Sequence, residues 1–441
     1  MTETSLIDLE IEDSLSRETL MNIDSSNTKE DCITISLFIF LMFVIFCIGL
    51  FSPPSEQTII SKKLFSEKSK IASFLLDNLS EWNHFLYISF NVIVSDSFKS
   101  DDFINVKYEA SLSFLQNGQI VASPKQIERI VNMSLLPGTN ESDAIEILYD
   151  HYPIYSEVKA IIKVVSDSNN ILGLKLNWNF GDVNHPIVQI WFRYMFAIMC
   201  LIAFLMLLCR LGKLPFRHWH LEQKITSFLV LFCILADNPL YIQQLIWPSH
   251  FGAWANLAFL SVFRVYLRFF IIVLFDSLRY KNRKLQKCFF IPKILLSILD
   301  LITDIVVSVS NSKEIPDIIT HDQAEIVFNA RNIVLSIYII WAVFSIVKAF
   351  AFIDITEKYK ITVYTILSSI SLIISGLTSF VFGKIQFFNK TSISFLVSFS
   401  VQNFFVVLMV VFHWPYELIT DQQYHDSTIN NKIDDFFVNT E

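Results

Sequence analysis

The chain has 441 residues, a net charge of -8, 53% hydrophobic residues and 42 Phe against only 9 Gly. Charged residues make up 17%, against roughly 25% in ordinary soluble domains. A simple soluble domain is therefore excluded, and the apolar residues indeed come in blocks about 20 long, the length that crosses a bilayer as a helix.

Residues 1–32 form an acidic polar tail, with nine Asp/Glu in the first 31 positions against Arg17 and Lys29. Residues 33–52 carry no charge. The sequence that follows, "CIGLFSPPSEQ", has no small-residue cleavage site, so this block reads as a retained signal anchor.

Residues 53–186 are long enough for one compact domain. Apolar and polar residues alternate in "FLYISFNVIV" (85–94) and "EVKAIIKVV" (157–165). Asn117-Gly118 stands between two alternating runs, a strong hairpin signal. "SDSNNILGLKLNW" suggests a further hairpin, and residues 62–81 are also compatible with a helix. The expected domain is an antiparallel β-sandwich without a cysteine. Three sequons lie in it, at Asn78, Asn132 and Asn140, as candidate glycosylation sites. A fourth, at Asn389, falls close to the membrane.

Seven apolar blocks follow, at about 187–209, 222–246, 254–276, 291–310, 329–353, 362–382 and 392–414. The expected fold is one anchor helix, a β-sandwich, and a seven-helix bundle over 187–414, with a tail at 415–441. Positive charge sets its orientation. Arg210, Lys213 and Arg217 follow the second span, five Lys/Arg lie between 279 and 287, and Lys358 and Lys360 follow the sixth. The alternate connections are poor in Lys and Arg, so both termini are expected in the cytosol and 53–186 in a lumen or outside. Lys62, Lys63, Lys68 and Lys70 argue the opposite way, but long segments translocate largely regardless of charge.

Ionisable residues within a span are functional candidates by default. Arg193, Arg331 and Lys348 lie near expected span ends and can snorkel to the headgroups. Arg264 and Arg268 are four apart on one helix face, as are Asp300 and Asp304 on the next span. At 1.5 Å per residue Arg268 and Asp300 both lie on the order of 14 Å from the cytosolic edge, and Arg264 and Asp304 at roughly 20 Å. The spacing predicts a two-rung ladder, Arg268–Asp300 and Arg264–Asp304. In "CILADNPLYIQQ" (233–244), Pro239 disfavours helix at Asn238, which predicts a kink or unwound turn. Asp237 and Asn238 would face the bundle, with Arg264 as the partner of Asp237. Gln402 and Asn403 fit interhelical hydrogen bonding, and Ser371, Ser375 and Ser379 form a small-residue packing stripe.

The nine histidines, at 84, 151, 185, 218, 220, 250, 321, 413 and 425, all fall outside span interiors. A membrane-embedded zinc hydrolase with histidine ligands is therefore not expected, nor a serine–histidine hydrolase. No phosphate-cradling glycine loop is present. The expectation is a non-enzymatic protein with the bilayer as partner and without cofactor, metal site or nucleic acid.

Four stretches carry a resemblance: "LEQKITSFLVLFCILADNPLY" (221–241), "FLSVFRVYLRFFIIVLFDSLRY" (259–280), "FFIPKILLSILDL" (289–301) and "VQNFFVVLMVVFHWPYE" (401–417). With the anchor and the β-rich segment ahead of seven helices, they resemble the Wntless-like family, which carries a GOLD-type β-sandwich. Arg264 and Arg268, within the second of these stretches, are a departure from the family's pattern. It implies a receptor of the secretory pathway or cell surface that binds a luminal or extracellular protein cargo, lipid-modified in the case of Wntless. Tyr416 to Ile419, "YELI", matches a Tyr-x-x-hydrophobic sorting signal for cytosolic adaptors. Other classes stay open, namely a seven-helix signalling receptor, or a transporter or channel. Asn238-Pro239-Leu240-Tyr241 is one residue short of the usual Asn-Pro-x-x-Tyr of such signalling receptors.

Overall fold

The computed structural model describes residues 19–25, 28–65, 70–80, 82–95, 104–136, 139–151, 153–165, 171–213, 215–216, 219–246, 250–278, 287–311, 321–352, 358–380 and 392–418. A short strand β1 (Thr19–Met21) and one helical turn α1 (Asn22–Ser25) precede the first long helix α2 (Thr28–Phe51). Eight strands follow: β2 (Glu56–Leu64), β3 (Ile71–Leu76), β4 (Phe85–Val94), β5 (Ile104–Gln116), β6 (Gln119–Met133), β7 (Ile145–His151), β8 (Glu157–Val164) and β9 (Ile171–Gly181). They form two four-stranded sheets, β2-β9-β4-β7 and β3-β8-β5-β6, in which every pairing is antiparallel.

The inward positions explain the layering. In β3 and β8 every second residue is buried, the period of a strand with one covered face. Leu86, Ile88, Phe90, Val106, Tyr108, Leu112, Val158, Ile162, Leu176 and Trp178 are fully buried between the sheets. The outer face of β4 is covered as well. There Asn91 Nδ2 donates to the Ser142 carbonyl at 2.7 Å, and the Asn177 amide donates to Asn91 Oδ1 at 2.6 Å. Tyr155 packs at the sandwich edge and donates to Asp150 Oδ2 at 2.6 Å. Burial and the neighbouring Asp150 carboxylate push its phenol well above the ordinary tyrosine range.

The β5–β6 hairpin turns at Asn117 (φ 52°) and Gly118 (φ 77°), the left-handed pair that a two-residue hairpin requires. Gly118→Val puts a β-branched residue there and is expected to destabilise the sandwich by about 1–2 kcal/mol. Limited proteolysis of the full-length protein at 104–133 reads this out, and unchanged cleavage would count against it.

Two sequence expectations differ from the structure. Within 62–81 the described residues are strands and loops rather than helix, because β2 and β3 take the first edge of each sheet. The runs at 157–165 and 171–181 do not form a hairpin: β8 pairs with β3 and β5, whereas β9 pairs with β2 and β4. The chain crosses between sheets there, so each strand buries its apolar face from the opposite side of the core.

The helical part comprises α3 (Asn184–Leu211), α4 (Leu221–Ala236), a short α5 (Tyr241–Ile246), α6 (His250–Leu278), α7 (Lys287–Asn311), α8 (His321–Phe352), α9 (Lys358–Phe380) and α10 (Ile393–Phe412), followed by β10 (Pro415–Leu418). Among the described residues, six helices are long and apolar enough to cross a membrane: Lys29–Phe51, Asn184–Leu211, Leu221–Gln243, Trp254–Leu278, Phe328–Ala351 and Phe395–Phe412. The helix α7 also turns a lipid-type face outward, with Ile291, Leu295, Ile298 and Ile302 exposed, while Lys293, Asp300 and Asp304 are buried.

The last helix, α10, is central, packing on α2, α3, α4 and α9, while α6 packs on α4, α7 and α8. Gly49 lets α2 close on α10, since a Cβ there would lie 3.1 Å from the Ile393 backbone. Ser392, at the start of α10, links the segment that leads from α2 into β2 to the start of α3. Its Oγ donates to the Pro53 carbonyl at 2.5 Å and lies 2.8 Å from His185 Nδ1. At the opposite end β1 pairs antiparallel with β10, and Met21 and Ile23 are buried in the helix core.

Candidate functional site

Among the described residues, the bundle buries several polar groups, two of which carry carboxylates and arginines. The first sits between α6, α7 and α8. On α7 the residues Lys293, Ser297, Asp300 and Asp304 share one face, since offsets of 4, 7 and 11 residues return to nearly the same angle. Lys293 Nζ lies 2.7 Å from Asp276 Oδ2 of α6 and also donates to the Phe289 carbonyl at 2.8 Å. Farther along, Arg268 Nε donates to Asp300 Oδ2 at 2.7 Å. Ser297 Oγ meets the Tyr338 hydroxyl of α8 at 2.9 Å.

Asp304 does not pair with Arg264. Its Oδ1 lies 2.7 Å from an Arg331 terminal nitrogen and 3.9 Å from one of Arg268. Arg264 faces Asp304, Arg331 and Arg268, but among the described residues it makes no ion pair within 4.0 Å. The reason is the length of α8. It begins at His321 rather than near 329, which carries Arg331 ten residues, roughly 15 Å, into the helix. Arg331 is thus a buried partner rather than a snorkelling end residue. The Arg331–Asp304 contact is close but poorly aligned, and Asp300 Oδ1 and Asp304 Oδ2 accept no hydrogen bond among the described residues. Three arginines meet two aspartates here, an excess of one positive charge in a setting where unpaired charge is costly.

The second cluster lies where α4 ends. Asp237 closes α4, and Asn238 takes a left-handed φ of 48°. Residue preference before proline favours an extended backbone, but asparagine also tolerates the left-handed region. The chain resumes as α5 at Tyr241. Both Asp237 (1% exposed) and Asn238 (5%) face inward, with Asn238 Nδ2 donating to Asn256 Oδ1 at 3.0 Å. Pro239 offers its carbonyl to the Tyr194 hydroxyl at 2.8 Å.

Asp237 is not served by Arg264, because the break turns it toward α3 and α10 rather than α6. Asn403 Nδ2 of α10 donates to Asp237 Oδ1 at 2.9 Å. Arg193 of α3 donates to the Asp237 backbone carbonyl at 3.3 Å, and its guanidinium lies 4.5 Å from the Tyr241 ring centre. Arg193 therefore points into the bundle instead of to the headgroups. The thiols of Cys200 and Cys233 lie 3.3 and 3.2 Å from Asn403 Oδ1. Cys200, Cys233 and Asp237 present their ligand atoms within 4.8 Å of one another, all buried.

A search for metal ligands among the histidines does not find this group. The signal lay in register: Cys233 and Asp237 are four apart, on one helix face. Gln402 is 6% exposed, and Ser371 is fully buried; the side chains of Ser375 and Ser379 fall outside the described residues. Lys348 Nζ lies over the Phe344 ring at 4.3 Å. His413, at the end of α10, is fully buried, with Thr226 Oγ1 2.6 Å from Nδ1 and the Tyr364 hydroxyl 2.8 Å from Nε2.

The remaining candidates lie outside the bundle. Asn78, Asn132 and Asn140 are all exposed on the sandwich, and Asn389 falls outside the described residues. Tyr416 lies in β10 at a register shift between the Leu20–Glu417 and Met21–Pro415 pairs. Ile419 falls outside the described residues, as does the basic stretch 279–286.

A β-sandwich joined to long apolar helices with charges turned inward defines a multi-pass membrane protein with an extramembrane domain. Residues 184–417 match the model of the Wntless-like transmembrane domain, and the chain belongs to the Wntless-like family. It is similar to human Transmembrane protein 181, 24% identical over 150 residues, which cover 34% of this chain and 32% of that protein. The match thus spans about a third of that relative's length. A chain from the infectious bursal disease virus VP2 subviral particle aligns over 29% of this chain and 33% of its own at 12% identity, with a TM-score of 0.17. That likeness is too slight to bear on the fold.

Proposed function

We propose that this protein is a non-enzymatic receptor for a luminal or extracellular protein ligand, acting in trafficking through the secretory pathway or at the cell surface. Membership of the Wntless-like family is the observation that carries the reading. The tie between Pro53, His185 and Ser392 supports it, because a ligand held on the sandwich can act on the ends of α3 and α10 through these contacts. The domain at 53–186 is lumenal or extracellular in this reading, and residues 1–32 and 415–441 are cytosolic. Tyr416 to Ile419 would serve sorting adaptors once the β1–β10 pairing is released. A seven-helix signalling receptor is the second reading, which ligand-induced nucleotide exchange would support; the buried charges around Asp304 favour instead a transporter or channel, which charge movement in proteoliposomes would support.

Proximity labelling from the sandwich, with a comparison of secreted proteins after deletion of the gene, tests the proposal. An unchanged secretome with no enriched luminal partner would sink it. Sidedness has its own test. Asn78→Gln, Asn132→Gln and Asn140→Gln are each expected to remove one glycosidase-sensitive step in gel mobility. Wild-type protein without any such step would count against a lumenal or extracellular sandwich.

A further inference from the structure

We propose that Cys200, Cys233, Asp237 and Asn403 form a structural Zn²⁺ site that pins α3, α4 and α10 together at the break in α4. The argument starts from donor type. Two thiols, a carboxylate and an amide oxygen converge from three helices, and each of the four residues is buried, Asn403 at 2% exposure and Asp237 at 1%. Thiolate sulfur favours zinc or monovalent copper, whereas the two oxygens weigh against copper and suit the borderline zinc ion.

Distances agree with a tetrahedron. Zinc–sulfur bonds of about 2.3 Å and zinc–oxygen bonds of about 2.0–2.2 Å give sulfur–oxygen edges of about 3.5 Å. Asn403 Oδ1 already lies 3.3 and 3.2 Å from the two sulfurs. The ligand atoms of Cys200, Cys233 and Asp237 lie within 4.8 Å of one another, close enough to reach a common centre by small side-chain rotations.

A second, independent observation points to a ligand. Asp237 Oδ2 is buried and has no hydrogen-bond partner among the described residues, although its Oδ1 accepts from Asn403 Nδ2 at 2.9 Å. Buried carboxylate oxygens are normally satisfied. A zinc ion between the sulfurs would use Oδ2, while the Asn403 amide nitrogen, which also donates to the Phe399 carbonyl at 3.1 Å, would keep the Asp237 Oδ1 oriented without itself touching the metal.

Charge balances too. Two thiolates, one carboxylate and one divalent ion sum to a single negative charge, and Arg193, bonded to the Asp237 carbonyl at 3.3 Å, supplies the compensating positive one. The two thiol protons leave as the metal enters. With four protein ligands the site is closed, as structural zinc sites are. Metal here would fasten the turn at the end of α4, where the Asp237 N–H still donates to the Cys233 carbonyl at 2.9 Å but the Asn238 N–H reaches only three residues back, to the Leu235 carbonyl at 3.0 Å.

Full-length protein in detergent, dialysed against a weak chelator, is expected to retain one zinc per chain by elemental mass spectrometry. Cobalt exchanged into it should give tetrahedral visible bands and a thiolate charge-transfer band. Cys200→Ser and Cys233→Ser should each lose the metal and that band, while Cys209→Ser, exposed on the same helix, keeps both. Where a serine variant fails to fold, the cobalt spectrum of the wild type decides alone. Wild-type protein that holds no zinc and gives no charge-transfer band overturns the proposal. An intact mass lower by two hydrogens, with Cys200 and Cys233 closed to alkylation, overturns it in favour of a disulfide. Neither outcome touches the receptor reading, which stands on secreted partners.

Discussion

Arg331→Met is expected to destabilise the helical bundle by about 3–5 kcal/mol, the usual cost of stranding one member of a buried ion pair. The stranded group is Asp304, fully buried and with Oδ2 already unbonded among the described residues. Arg264→Met should cost far less, because it removes the excess cation of a cluster of three arginines and two aspartates. Thermal unfolding of the purified protein in detergent separates the two variants. Exchanging the charges, Arg331→Asp with Asp304→Arg, should recover part of the loss. If Arg264→Met proves the damaging change and Arg331→Met is silent, the pairing at Asp304 is the other one.

Trp178→Ala carries an expected loss of about 3–5 kcal/mol in the sandwich. The indole is fully buried on β9, between β2 and β4, and its Nε1 donates to Ser61 Oγ at 3.3 Å. Residues 53–186 contain no cysteine, so no disulfide offsets a damaged core. Trp82→Ala, at a position 36% exposed, should stay within about 0.5 kcal/mol of wild type. Proteolysis of the full-length protein across 82–178 at rising temperature measures both. Equal resistance of the two variants would show that the core does not depend on Trp178.

Local patterns were legible wherever one period governed a segment. Alternation found β4 and β8, the Asn-Gly pair found the β5–β6 turn, and hydrophobic length found the helices. The depth argument brought Arg268 to Asp300 because both elements are regular between those residues and the membrane edge. It failed at Asp304, since the start of α8 at His321 lies in polar sequence that hydropathy does not mark as helix. Strand partners were not legible either. The choice between β8–β9 pairing and crossing sheets is decided by which faces meet in three dimensions, not by the spacing of apolar residues. The Cys200–Cys233–Asp237–Asn403 group needed three helices in register, and only the Cys233–Asp237 spacing was written in one segment.

The β1–β10 ladder links chain segments that are made far apart in time. Thr19–Met21 leaves the ribosome before every long helix, and Pro415–Leu418 after all of them. The backbone of Asn22 donates to the Trp414 carbonyl at 2.8 Å, and the Tyr359 hydroxyl donates to the Ile23 carbonyl at 2.8 Å. The Tyr359 bond cannot form until α9 has been started, nor the ladder and the Asn22 bond until α10 has been laid down. Until then Met21 and Ile23, buried in the finished protein, lack their cover, so a nascent or truncated chain displays apolar side chains that the completed one hides. Closure of this ladder thus reports that α10 has been placed against the bundle, a distinction open to quality-control factors that sense exposed hydrophobic segments.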